Sequence, residues 1–161
     1  MMSVKLNEIR DKLVSAAIII PFVILSPIII PWIIASAYFK GKSIEKKYLQ
    51  FLIEQEDSAF FCYNNRKNSL EYIPKLLLPK LDANVHIIFI NNHTSESSFD
   101  ADIISRFFQE IPKPINLPIL IKIQNQHVIS HSINNKFYNL MSQHKDITPL
   151  LDEISAFCAP I

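Results

Sequence analysis

Histidines, cysteines and a few loop carboxylates are the side chains of this 161-residue chain best suited to chemistry, and their spacing completes no motif. His127 and His131 stand four apart, which on a helix suggests a metal pair. Here the surrounding run reads as a strand. The two rings share a face there, but no cysteine or carboxylate is near in sequence, so exposed strand histidines are the plainer reading. Cys62 and Cys158 form neither a CxxC nor a zinc spacing, and apolar neighbours suit inert core thiols. A Cys62–Cys158 disulfide is open only in an oxidising compartment. His93 and Glu96 sit in a polar loop after an apolar run, where α/β folds often bind ligands, although a solvated turn explains them as well. Asp100 and Asp102 suit a helix N-cap and first turn better than an acid–base pair. Arg66 and Lys67 stand where a helix start and two cations attract an anion or an acidic partner. Neither a metal nor a cofactor is expected.

Composition removes further classes. Sixteen basic against fifteen acidic residues leave a net charge of +1. Nucleic-acid binding needs a clustered positive surface, so it is not expected. Gly41 is the only glycine. A P-loop or a GxGxxG turn needs several backbones free of a Cβ, so both are excluded.

The elements that would position these side chains begin with an apolar segment. Between Lys12 and Lys40 lie 27 uncharged residues, interrupted by three serines and three prolines. Lipid solvates neither charge nor free backbone groups, so the stretch from Leu13 to Phe39 is expected at a membrane. As a helix it measures roughly 40 Å, enough for a tilted single span with Trp32 and Tyr38 near one interface. Pro21, Pro27 and Pro31 each remove a helix hydrogen bond. A re-entrant hairpin broken at Ser26-Pro27 is therefore a second reading, similar in layout to the membrane element of monotopic phosphoglycosyl transferases. A signal peptide ending at Ala35-Ser36-Ala37 is a third, disfavoured by its long apolar core. Basic residues flank both ends: Lys5, Arg10 and Lys12 before, Lys40, Lys42, Lys46 and Lys47 after. They bias topology weakly toward a cytoplasmic C-terminal domain.

The remainder reads as an α/β domain. Ser43 to Glu56 is an amphipathic helix with Ile44, Tyr48, Phe51, Leu52 and Gln55 on one face, either a stalk or the first helix of the domain. Strands are expected at Ala59–Tyr63, Val85–Ile90, Ile119–Ile123 and His127–Ser132, the last two around a turn at 124–126. Helices are expected at Leu70–Leu81, capped by Ser69 and kinked by Pro74 and Pro79, at Asp100–Ile111, and at Asp146–Phe157.

Strand, helix, strand, helix, proline, strand hairpin, helix is the order of a thioredoxin-like domain, and residues 59–158 resemble that superfamily. Leu117-Pro118 entering the hairpin resembles the family's cis-proline, and Pro74 the proline of its first core helix. By the same alignment Arg66-Lys67-Asn68-Ser69 falls where the family carries its CxxC. Dithiol exchange needs two thiols there, so the resemblance implies the fold without the chemistry. The expected architecture is thus a short polar N-terminus (1–12), a membrane helix, spanning or broken at Ser-Pro (13–39), a juxtamembrane amphipathic helix (40–57) and a thioredoxin-like domain with a central mixed sheet flanked by helices (58–161). The expected function is a membrane-tethered protein-interaction module or complex subunit whose partner surface comprises Arg66, Lys67, Asn68, Ser69 and Pro118. Its expected partners are membrane lipid and other proteins. The alternative is a membrane-associated enzyme, either a single-thiol redox protein using Cys62 or one acting on a bilayer-presented substrate.

Overall fold

The computed structural model describes residues 27 and 29–159 except 93, and for residues 2–26 and 28 it gives a helical course alone. The chain divides into two units, Met1–Ser43 and Ile44–Ile161. Helix α1, Met2–Glu54, contributes to both.

In the first unit the side chains of Ile29, Ile30, Trp32, Ile33, Ile34, Tyr38 and Phe39 are exposed, Trp32 at 74%. The Lys42 ammonium lies 5.0 Å from the Tyr38 ring centroid. Among the described residues no helix is long and apolar enough to cross a membrane. The expected membrane segment, with its choice of span, hairpin or signal peptide, falls largely on residues 13–26 and 28, outside the described side chains.

The second unit is built on a five-stranded mixed sheet. Its strands are β1 (Ala59–Asn64), β2 (Val85–Asn91), β3 (Thr94–Glu96), β4 (Ile119–Gln124) and β5 (His127–Ser132), in the spatial order β3-β2-β1-β4-β5. β1 and β2 are parallel, with Ala59 opposite Val85. β4 runs antiparallel to β1, with Cys62 opposite Ile119, and β5 antiparallel to β4. Every residue of β1 through Tyr63 is buried, as an unbroken apolar run requires of a strand covered on both faces.

Two cores follow from that alternation. Phe60 and Cys62 face Tyr48, Phe51 and Leu52 of α1 and Ile104 and Phe107 of α3 (Ala101–Gln109). Phe61 and Tyr63 face the opposite core, formed by Ile73 and Leu77 beyond α2 (Lys67–Tyr72), by α4 (Asn134–Ser142) and by α5 (Thr148–Cys158). Complete burial of a side chain such as Phe60 contributes about 1.5–3 kcal/mol. Ile44–Glu54 is therefore the first helix of the domain and not a stalk, and its buried residues are those of the expected apolar face.

One expectation needs correction. Ser69 does not cap the helix it was expected to open: α2 starts at Lys67 with Arg66 at the N-cap, no side chain caps it, and Ser69 is buried within it. Pro74 and Pro79 do change the helix, which passes into a π-helical turn at Ile73–Leu77 and a 3-10 turn at Leu78–Lys80. Proline has no N–H to donate, so the bonding pattern resets around each one. β3 and α4 were not anticipated. β3 has three polar residues, and α4 holds three asparagines, poor helix formers, with Phe137 and Met141 as its only buried side chains.

Other expectations agree with the structure. Asp100 caps α3 by accepting from the Asp102 N–H at 2.9 Å. Asn125 and Gln126, at φ 52° and 59°, form the two-residue turn between β4 and β5. The Leu117–Pro118 peptide is cis, as expected for Pro118, and Lys113–Pro114 is cis as well.

Candidate functional site

The expected partner residues gather at the end of the sheet where β1 and β2 finish. β1 delivers Asn64, the chain turns through Asn65 and Arg66, and α2 begins. Because Cys62 pairs with Ile119 in the antiparallel neighbour, Pro118 enters β4 beside the same end of β1. Residues distant in sequence thus reach one place by strand register. Their exposure differs. Arg66, Lys67 and Asn68 are exposed, whereas Ser69 and Pro118 are buried, so only the first three of the expected contact residues are open at the surface.

Polar side chains lock this end together. The Ser69 hydroxyl lies 3.3 Å from Asn64 Oδ1 and 2.8 Å from the Tyr138 hydroxyl, joining β1, α2 and α4. Asn64 Oδ1 also accepts from the Arg66 N–H at 3.4 Å. The Asn65 amide donates to Asn91 Oδ1 at 3.1 Å and Asn92 Oδ1 at 3.0 Å, and the Asn91 amide donates to Glu96 at 3.2 Å. Asn134 donates to the Leu117 carbonyl, tethering α4 to the segment before Pro118. Burial raises the Tyr63 phenol above its ordinary value, with Glu96 adding to the effect. Sequence reasoning named Arg66 to Ser69 but missed Tyr138, Asn64 and Asn65, because tertiary contacts between polar side chains leave no periodic signal.

The chemistry available here is limited. Ser69 has an amide and a phenol as neighbours, and neither is a general base at neutral pH. Cys62 is free, fully buried, and its thiol is pushed up by burial alone. Since the thiolate is the nucleophile, such a thiol is inert in the folded chain. Cys158 is also free and partly buried on α5. Burial raises it, Lys122 opposes the rise and Asp82 adds to it.

The remaining candidates lie elsewhere. His127 and His131 are on β5, and His131 meets Glu153 of α5 at 2.6 Å. No group of three or more metal-ligating side chains occurs among the described residues. His93 lies outside the described residues. Glu96 is exposed, its carboxylate accepting from Asn91. Asp100 ion-pairs with Lys47 at 3.8 Å. Comparison with protein-family models, curated proteins and solved structures returns no match for this chain.

Proposed function

We propose that this chain is a membrane-tethered, thioredoxin-like module without dithiol activity, acting through protein contacts made by Arg66, Lys67 and Asn68. One observation carries the reading. At the junction of β1 and α2, beside Pro118, the chain presents two cations and an amide where the resembled family has its thiols. A helix start flanked by exposed Arg66 and Lys67 favours an acidic partner segment. Support for the fold comes from the element order and from the sheet, with β1 and β2 parallel, the β4–β5 hairpin beside β1, and helices on both faces.

Membrane attachment rests on the 27 uncharged residues between Lys12 and Lys40, with the domain on the cytoplasmic side. The single-thiol alternative is opposed by the burial of Cys62. Thiol alkylation of the folded chain tests the distinction. Cys62 is expected to stay unmodified by iodoacetamide at neutral pH until the chain is denatured. Rapid modification of Cys62 in the folded protein would restore the enzymatic reading.

A further inference from the structure

The two edges of the sheet are protected unequally. β3, at one edge, has three residues and ends on the Glu96 carboxylate, so little backbone lies open there. β5, at the other edge, has six residues and pairs with β4 at six consecutive positions without a bulge. None of the six is lysine, arginine, aspartate, glutamate or proline. Edge strands are ordinarily guarded by shortness, charge, proline or a bulge, because their unpaired backbone groups are a template for another strand. β5 has none of these guards.

The register identifies the unpaired groups. Ile123 donates its N–H to the Ser58 carbonyl at 3.2 Å and accepts from the Asp57 N–H at 3.0 Å, so both of its backbone groups face the β1 side. Val128, opposite Ile123 in β5, therefore receives neither, and turns its own N–H and C=O to the free edge. Bonding alternates along an antiparallel ladder, so Ser130 and Ser132 do the same. Among the described residues, no backbone group of β5 bonds to any segment other than β4.

We propose that β5 is the interface of a two-fold homodimer, in which β5 of a second copy adds antiparallel to the free edge. Centring the pair on Ser130 uses every outward group. Ser130 then faces its own counterpart and Val128 faces Ser132, each pair exchanging both backbone bonds. Ile129, 42% exposed, comes opposite His131 of the second copy, and each His131 already has Glu153 of its own chain at 2.6 Å. A charged strand from another protein finds no fixed counter-charge among these six residues, whereas a second β5 brings none that needs one. The pairing also stops at two copies, because it consumes the open edge and leaves only the short β3 at either end.

Sedimentation equilibrium of the full chain in density-matched mild detergent measures the assembly, and amide exchange resolved to single residues locates it. The unaltered chain is expected to be a dimer whose Val128, Ser130 and Ser132 amides exchange at least tenfold more slowly than in dilute, monomeric samples. The Ile129 and His131 amides, bonded to β4 in both states, are expected to change little. Ser130→Pro removes the central outward N–H and leaves the β4 ladder intact, a position where an edge strand tolerates proline. It is expected to raise the dimer dissociation constant at least tenfold. A monomer, alone or bound through β5 to a different protein, overturns the proposal, as does an open-ended oligomer. A dimer that persists unchanged in a folded Ser130→Pro chain also overturns it, since the contact then lies elsewhere. If that variant does not fold, exchange in the unaltered chain decides, and fast exchange at Val128, Ser130 and Ser132 within a dimer overturns the proposal.

Discussion

Removing the Ser69 hydroxyl tests whether this residue is an internal tie or a contact residue. Ser69 is completely buried, and its oxygen sits 3.3 Å from Asn64 Oδ1 and 2.8 Å from the Tyr138 hydroxyl. A neutral intramolecular hydrogen bond contributes about 0.5–1.5 kcal/mol net, so Ser69→Ala, which removes two, should cost about 1–3 kcal/mol. The lower half of that range is expected. Asn64 and Tyr138 are only partly buried, so water can replace the lost partner, and Asn64 keeps its contact with the Arg66 N–H. Tyr138→Phe should cost about 1 kcal/mol. In the double variant the shared bond is removed once and not twice, so a coupling of about 0.5–1 kcal/mol should remain between the two sites. Pulse proteolysis of the full chain across a urea series in mild detergent reads the folded fraction for all four proteins. Strict additivity would refute the Ser69–Tyr138 bond. A neutral Ser69→Ala would refute the role of Ser69 as an internal tie.

Two further outcomes are expected. Hydrogen bonds from His131 and Lys136 hold the Glu153 carboxyl below the usual carboxylate range. A folded-state value below the unfolded one gives stability present above about pH 4.3 and lost as pH falls through the folded value. Melting temperatures between pH 3 and 6 should fall less steeply for Glu153→Gln, by an amount equivalent to no more than about 1 kcal/mol for so superficial a pair. In the β4–β5 turn, Gln126 occupies φ 59° without being glycine. Gln126→Gly should raise stability by about 0.5–1 kcal/mol, the relief of left-handed strain being partly offset by a freer unfolded chain. The same urea series measures it, and a loss of stability would contradict the turn geometry.

What was legible in the sequence was periodic or punctuated. The Tyr48, Phe51 and Leu52 face of α1, the apolar run of β1 and the Asp100 cap each follow from local patterns, and all three stand in the structure. Ser69 shows how local chemistry misleads. A serine before an apolar run suits an N-cap, but Asn64 and Tyr138 bind its hydroxyl from outside the helix, and α2 starts at Lys67, three residues before the expected Leu70. α4 stayed hidden because Ile133, Phe137 and Met141 hold it by tertiary burial in a segment rich in asparagine. The site was half visible. Arg66 to Asn68 follow only from the resemblance drawn in the sequence, whereas Asn65, Asn91 and Asn92 meet only when β1 and β2 lie parallel.

The most direct measurement is partner capture from membranes under mild detergent, comparing the unaltered chain with Arg66→Glu/Lys67→Glu by quantitative mass spectrometry. Both substituted side chains are exposed, so the variant should fold. The proposed function predicts that the chain sediments with membranes and that a co-purifying protein falls at least fivefold in the charge-reversed variant. An isolated monomer, or a partner retained equally by both proteins, would contradict it.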